Sequence, residues 1–335
     1  MSPSNPVLPD FLPSASPEML ATRAALLKRL RTFFDSRGFL EVETPLLSHD
    51  VVVDRHLDPL SVTLFPDPRE PHIGPKLWLQ TSPEFSMKRL LVAGKEQLRA
   101  IYQITRAFRG GEIGPLHNPE FTMVEWYRVG DDYAAGMQLL ADLAEEILGL
   151  GTPERLTYRE AFLRYAKVDP FEQRDVRRGS PDPAEAADRR SPVVYEDHDL
   201  HLDLLLTQKV EPNLGQDRPT ILHDYPASQS ALAQVRDGNP PVAERFELYV
   251  RGIELANGYH ELLDPAILRE RNRLNNALRI TDGKPPLPEE CRLLAAMDHG
   301  LPPCSGCALG FDRLVMAVTG ARSIQDVLAF PITRA

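Results

Sequence analysis

Three groups of residues in this chain are of types that handle phosphates, carboxylates and amines. The first is Phe108-Arg109-Gly110-Gly111-Glu112, followed by His117-Asn118-Pro119-Glu120-Phe121. An arginine at the end of an apolar run, facing a glycine-rich loop, presents a fixed fork of donors to a phosphate. Six basic residues and one acidic residue lie between Met87 and Arg109, a local charge of +5 that suits a polyanionic ligand. The competing reading is a solvated face laced with arginine–carboxylate pairs. The second group is Arg251-Gly-Ile-Glu-Leu-Ala-Asn-Gly-Tyr-His-Glu261, with Glu254 and Glu261 set among apolar and small residues. Buried carboxylates need a cation, so these two can hold Mg²⁺ and a substrate amine, or form structural ion pairs. The third is Ala308-Leu-Gly-Phe-Asp-Arg313, where Gly310 permits close backbone approach and Arg313 sits at a helix start, a weak phosphate signal alone. Together, two arginines and two carboxylates meet the needs of ATP-dependent activation of a carboxylate. The arginines neutralise phosphate charge and Mg²⁺ screens the rest, so that the acid's oxygen attacks the α-phosphorus.

These groups need elements to position them. The apolar stripe Leu26, Leu27, Leu30, Phe33 and Phe34 predicts a helix over 18–37, stopped by Gly38. A short strand at 39–44 is closed by Pro45. Strands at 98–108 and 121–128 flank a loop rich in glycine and proline, which makes a hairpin with a long tip. A helix is expected at 133–149, one covered central strand at 246–256, a charged helix at 265–280, and strand, sharp turn and helix over 307–320. Residues 1–17 read as a flexible arm and 174–192 as a solvated connector. Hairpins without a βαβ rhythm point to an α+β arrangement, mainly an antiparallel sheet flanked by helices.

The whole-chain numbers narrow the classes. A length of 335 residues fits two domains or one large one. The 38 basic and 48 acidic residues leave −10, against a chain held to nucleic acid mainly by phosphate contacts. Three cysteines exclude a disulfide scaffold, and no apolar run approaches a membrane span. With no secretory signal at the N-terminus, the expected setting is cytoplasmic. The 31 prolines argue against a long-helix bundle. No G-x-x-x-x-G-K-[ST] is present, so a P-loop is not expected. Cys304-x-x-Cys307 lacks the further ligands a zinc site needs, with only Cys291 remaining. His198, Asp199, His201 and Asp203 read as a solvated helix face, and Glu145-Glu146 as helix surface.

At this point the motifs resemble a known family. Gly38-Phe-Leu-Glu-Val-Glu-Thr-Pro45, the hairpin with Phe108-Arg109 and His117-Asn-Pro-Glu-Phe-Thr-Met123, and Gly310-Phe-Asp-Arg313 are similar to motifs 1, 2 and 3 of class II aminoacyl-tRNA synthetases of the lysyl type. The likeness runs from about residue 20 to the end. Within the family, the chain resembles the short members that join (R)-β-lysine to a lysine of translation elongation factor P. Motif 1 comes too early for an anticodon-binding domain, Ser82 and Ala308 stand where the tRNA enzymes usually have a small apolar residue and a glycine, and Tyr225–Gln229, Val242–Glu247 and Val327–Phe330 match in detail.

The resemblance implies a class II catalytic fold, ATP and Mg²⁺ as cofactors, (R)-β-lysine or lysine as substrate, elongation factor P as acceptor rather than tRNA, and a homodimer. Arg109 and Arg313 would be catalytic. Arg109, with the loop Gly110, Gly111 and Glu112, would bind ATP, Phe121 would stack on adenine, and His117, Asn118 and Arg313 would hold the triphosphate beside Leu255 and Gly310. Glu254 would carry the metal, with Glu261 assigned there too. Glu84, in Ser82-Pro83-Glu84, would take one amine and Glu261 with Tyr127 the other, while Asn257 and Ala308 line the substrate. Family members usually have a glutamate where Gly111 stands; either a backbone group or Glu112 would supply that contact. The rival functions are acylation of tRNA with lysine and non-catalytic sensing of lysine or ATP.

Overall fold

The computed structural model describes residues 11–172 and 198–335. Helix α1 (Pro17–Asp35) starts at Ser16, whose side chain accepts the Met19 amide at 3.2 Å, and buries Leu26, Leu30, Phe33 and Phe34. It stops two residues short of Arg37, and Gly38 at φ +76° turns the chain into β1 (Leu40–Glu41). Of the flexible arm expected over 1–17, residues 11–17 are described, and part of it is tied down: Ser14 and Ala15 donate their amides to Ala329 and Leu328 at 2.8 and 3.1 Å, and Ala15 is buried.

Strands β2 (Leu47–Ser48), β3 (Ser61–Thr63) and β4 (Lys76–Leu79) make a small separate sheet in the order β2-β4-β3. Helix α2 (Glu84–Gly94) precedes the long hairpin of β5 (Ala100–Phe108) and β6 (Glu120–Val129), whose tip spans 109–119 as expected. Helix α3 (Tyr133–Leu148) is capped by Asp132 and closed by left-handed Gly149. After β7 (Glu154–Thr157) and the short α4 (Tyr158–Ala161), the connector expected at 174–192 lies outside the described residues. There follow α5 (His198–Leu205), β8 (Thr220–Pro226), β9 (Val235–Arg236), β10 (Val242–Val250), β11 (Ile253–His260), α6 (Pro265–Thr281), α7 (Arg292–Asp298), β12 (Cys304–Gly310) and α8 (Phe311–Thr319).

Among the described residues nine strands form the main sheet, in the order β1-β5-β6-β12-β11-β10-β8-β7 with β9 beside β10. Among these described strands only the edge pairs β1/β5 and β7/β8 are parallel. Side chains alternate between its faces. Tyr102, Val124, Trp126, Leu248 and Cys307 pack with α1, α3 and α8, whereas Ile101, Tyr127 and Cys304 pack with α2, α6 and α7. Cys304 and Cys307 therefore sit on opposite faces and share no site.

The single strand expected at 246–256 is two strands. Arg251 and Gly252 both take positive φ, +51° and +75°, the conformation a two-residue hairpin loop requires, and Val250 pairs with Ile253 across it. Apolar residues on both sides of the turn masked it. Inside this hairpin the register slips: Leu248 faces Ala256 while Tyr249 faces Glu254, so Leu255 is an extra residue in β11. A bulge reverses the alternation of side chains. Leu255 and Ala256 both pack into the core behind the sheet, which turns Glu254 to the same face as Asn257 and Tyr259.

Candidate active site

The four central strands carry the site in two in-register rows. Glu125 on β6, Ala308 on β12, Asn257 on β11 and Glu247 on β10 are successive partners across the sheet. Two residues along, the row reads Tyr127, Gly306, Tyr259 and Arg245. Neighbours in such rows lie about 5 Å apart, so residues distant in sequence meet on one face.

Above these rows opens a cleft of about 1150 Å³, continuous through Arg109, Asn257, Tyr259 and Ala308 with a smaller hollow of about 140 Å³. Of the residues expected to bind ATP, Arg109, Glu112, His117, Asn118, Phe121, Glu254, Leu255, Gly310 and Arg313 line the cleft. Arg109 ends the hairpin with its guanidinium 5.1 Å from the centre of the Phe121 ring and 3.9 Å from Glu112. Arg313, on the first turn of α8, reaches across to the Glu254 carbonyl at 3.0 Å, its carboxylate at 3.4 Å, and His117 Nε2 at 2.7 Å. His117 accepts that last bond only when neutral. Burial and the Arg313 charge both lower its pKa below the usual imidazole value. Asp312 fixes the start of α8 by accepting the Thr122 amide at 2.7 Å and pairing with Arg23 at 2.7 Å.

Three of these residues contribute otherwise than expected. Asn118 spends its amide on the Glu120 carbonyl at 2.6 Å and the Ile332 amide at 2.9 Å, so it shapes the loop and pins the C-terminal segment to it. Leu255 turns its side chain into the core and offers the cleft only backbone. Gly110 lines neither compartment: its amide donates to Asp58 at 2.6 Å. Gly111, at φ +78° with open space around it, turns the loop, and Glu112 supplies the acidic side chain facing the cleft.

The +5 run is dispersed rather than gathered on one ligand. Lys88 is buried between carboxylates, Lys95 is exposed at the end of α2, Arg99 pairs with Glu96, Arg106 with Glu120, and Arg89 lines a separate groove, which leaves Arg109 to face the cleft. Helix and strand geometry send successive side chains in different directions.

The hollow holds the amine candidates. Ser82, Glu84, Tyr127, Asn257, Glu261 and Ala308 line it, whereas Pro83 only begins α2. Glu125, not singled out from sequence, completes it: buried, it accepts from Ser82 Oγ at 2.7 Å and Tyr127 OH at 2.5 Å. Burial and the nearby Glu84 push its pKa up to about 7. Glu261 is pushed up to about 8 by burial, with Lys88 opposing. Lys88, also missed, sits 2.5 Å from both Glu84 and Glu261. Asn257 Oδ1 is buried with no hydrogen-bond partner among the described residues, an acceptor free for a donor in the hollow.

Glu254 and Glu261 do not form one metal site. Seven residues of extended chain separate them by roughly 20 Å, and Glu261 is engaged by Lys88 in the other compartment. Beside Glu254 lies Glu247, held by Tyr225, by Tyr249 at 2.6 Å and by Arg245 at 2.5 Å. Burial and Glu247 raise the Glu254 pKa; burial, Glu247 and Glu254 raise that of Glu211 to about 7. Among the described residues no cluster of three or more histidines, cysteines or carboxylates is arranged to hold an ion unaided. Asp199 and Asp203, expected on a solvated face, are half-buried at the cleft rim. One turn of α5 brings both to Ser228 and Gln229, at 2.7 and 2.9 Å.

No helix of the described residues is long and apolar enough to cross a membrane. A family model for tRNA synthetases class II (D, K and N) matches residues 10–334. A curated protein of Vibrio cholerae serotype O1 (strain ATCC 39315 / El Tor Inaba N16961), named elongation factor P–(R)-β-lysine ligase, is 46% identical over 333 residues, covering 97% of this chain and 99% of that protein. With its mainly antiparallel sheet flanked by helices and its motif 2 and motif 3 residues around one cleft, this chain belongs to the class II tRNA synthetase family of the D, K and N type.

Proposed function

We propose that this protein is an ATP-dependent ligase that activates (R)-β-lysine as an aminoacyl-adenylate and transfers it to a lysine side chain of translation elongation factor P. The observation that carries the reading is the pairing of compartments: a cleft with an arginine on either side opens into a hollow floored by Glu84, Glu125 and Glu261. The named activity of the Vibrio cholerae relative supports the same substrate and acceptor.

In this reading the two ammonium groups of the substrate enter the acidic hollow, and its carboxylate is left at the junction beside Arg109, Asn257 and Ala308, which line both spaces. Arg109 stabilises charge on the α-phosphate during in-line attack, and Arg313 holds the departing pyrophosphate end. His117, kept neutral, braces Arg313. Phe121 offers a face for adenine. Mg²⁺ is usually bound through one or two carboxylates plus phosphate oxygens, and the donor set at Glu254, with Glu247 behind it, fits that pattern; a bound Mg²⁺ would neutralise phosphate charge. No covalent enzyme intermediate is needed, and catalysis is positioning plus charge stabilisation. The exposed Leu40, Leu46, Leu47, Leu60, Val62 and Leu64, on the motif 1 strand and the small sheet beside it, support a homodimer through that face; light scattering reads its mass.

Pyrophosphate exchange with (R)-β-lysine or L-lysine, followed by transfer to elongation factor P or to tRNA, tests the reading. Exchange and modification of the factor are expected. Efficient charging of tRNA with no modification of the factor would overturn the acceptor, and no exchange with either amino acid would overturn the enzyme.

A further inference from the structure

The floor of the hollow contains an ammonium group of the protein's own. Lys88 lies one helical turn after Glu84 on α2, with its side chain only 2% exposed, and its Nζ contacts Glu84 Oε1 and Glu261 Oε2 at 2.5 Å each. It is absent from the wall of the hollow, whereas Glu84 and Glu261 are part of it. The two oxygens of Glu261 face different ways: Oε2 points to Lys88, and Oε1 lies where a Cβ on Gly306, a wall residue, would come within 2.5 Å of it. Glu125 receives two hydroxyl donors but no cation among the contacts it makes. Three carboxylates and one ammonium thus leave this floor two negative charges when all are ionised, and Arg271, which also lines the hollow, donates to the Ala231 and Ala233 carbonyls at 2.5 and 2.9 Å. Uncompensated buried charge is strongly disfavoured, so the best guest brings two positive charges.

We propose that Lys88 is a specificity-determining residue: a built-in counter-ion behind the wall that reduces the three-carboxylate floor to two negative charges and so matches the hollow to an amino acid with two ammonium groups. The inference rests on the functional reading above for the class of substrate, but it concerns binding and stands apart from the acceptor. Lys88 acts through Glu84 and Glu261 and does not touch the reacting atoms. It is a positioning residue, and its charge, not its bulk, is what matters. With Lys88 gone, the three carboxylates hold protons more tightly, so a dicationic guest displaces two of them at greater cost while the surplus carboxylate stays protonated. With Lys88 present, an amino acid with one ammonium group leaves one floor carboxylate without a cation.

Calorimetric titration of the full-length protein with (R)-β-lysine, L-lysine and the one-ammonium analogue L-norleucine reads this directly. The wild type should bind a diamine acid and discriminate against norleucine by on the order of a hundredfold or more. Lys88→Ala should weaken diamine binding by on the order of a hundredfold and leave ATP affinity within about twofold. Ethylammonium, which fits the vacated space and restores the charge, should recover at least about tenfold of that loss, and neutral n-propanol should not. Lys88→Met fills the space without charge. It should stay folded at the assay temperature with ATP affinity within about twofold of the wild type, bind diamine as weakly as the alanine variant, and show no rescue. Titration in buffers of different ionisation heat should show more protons released per diamine bound in Lys88→Met than in the wild type. Rescue by propanol as strong as by ethylammonium, wild-type diamine affinity in Lys88→Met, or a wild-type hollow that prefers norleucine would each overturn the assignment. If diamine binding behaves as stated but pyrophosphate exchange fails, the functional reading is wrong and the role of Lys88 stands.

Discussion

Gly306 offers the sharpest separation of the hollow from the cleft. It pairs with Tyr127 and with Tyr259 in the sheet, and a Cβ at this position would lie 2.2 Å from Tyr127 Cε1 and 2.5 Å from Glu261 Oε1. Carbon atoms in contact settle about 3.5–4.0 Å apart, so in Gly306→Ala the ring must retreat by more than about 1 Å. Tyr127 is 3% exposed and has little space to retreat into. Its hydroxyl donates to Glu125 at 2.5 Å, and a retreat of that size stretches the bond beyond the usual range for O–H···O. Overpacking costs about 1–3 kcal/mol, and a hydrogen bond to a charged group is worth about 1.5–3 kcal/mol. Part of this falls on stability and part on substrate, so the KM for the diamino acid should rise about 10- to 100-fold. The KM for ATP should stay within about twofold, because the clash lies in the hollow. Gly258→Ala is the matched control. Its Cβ would meet Phe246 at 2.4 Å on the far face of the same sheet and the Gly306 carbonyl oxygen only at 3.0 Å, so the clash falls on the core and lowers the melting temperature. Amino-acid-dependent pyrophosphate exchange and thermal melts of both variants decide the matter. An unchanged amino-acid KM in Gly306→Ala, or an equal rise in Gly258→Ala, would refute the placement of the substrate amines.

Arg109→Ala should lower exchange by about 10²–10³-fold at saturating amino acid, and an unchanged rate would mean that the hairpin tip does not meet the α-phosphate. Glu254→Gln should raise the Mg²⁺ concentration needed for half-maximal exchange by about tenfold, with recovery at high Mg²⁺; an unshifted Mg²⁺ titration would remove Glu254 from the metal. Glu125 and Glu261 hold protons up to about pH 7 and about pH 8 in the folded, ligand-free chain, while unfolded carboxyls release theirs near their ordinary 4.5. Between those limits the native state binds more protons, so their contribution to stability is full below about pH 4.5 and is lost as pH rises through 7 and 8. Melts from pH 6 to 9 should show this fall without ligand, and a flatter profile with saturating diamine, whose ammonium groups replace the protons. Parallel profiles with and without diamine would contradict the charge compensation assigned to the hollow.

How much of the site could be read from the residues depended on whether a residue's neighbours in sequence are also its neighbours in space. Arg109, His117 and Phe121 belong to one hairpin tip and Gly310 to Arg313 to one turn, so local strings carried their position, and the structure sets them around a single cleft. Glu254 was singled out for its apolar surroundings, but the reason it reaches the cleft was not visible. An extra residue at Leu255 reverses the side-chain alternation, and alternation within one uninterrupted strand would send Glu254 to the face opposite Asn257. The same apolar continuity that concealed the turn at Arg251-Gly252 concealed the bulge. The assignment of Glu261 to the metal beside Glu254 comes with the resemblance, not with the residues. In a strand, spacing along the chain is distance, and the two carboxylates serve different compartments.

Lys88 and Glu125 were missed for a related reason. Each sits in a sequence context with an ordinary explanation, Lys88 at the head of a basic run and Glu125 within an apolar strand. A positive charge counted into a local +5 looks like affinity for an anion; the fold instead turns Lys88 inward, against two carboxylates from different elements. One signal was present: Glu84 and Lys88 are four apart, with Phe85, Met87 and Leu91 buried alongside, so a helix that buries this face buries the pair as well. The pair on α2 is neutral by itself, so Glu125 from β6 and Glu261, just after β11, leave two negative charges on that buried face for a bound cation to balance. Charge balance within a buried face is thus a constraint that joins elements remote in sequence. Applied to α2 and β6, it finds the floor of the hollow, whereas net charge counted along the chain points away from it.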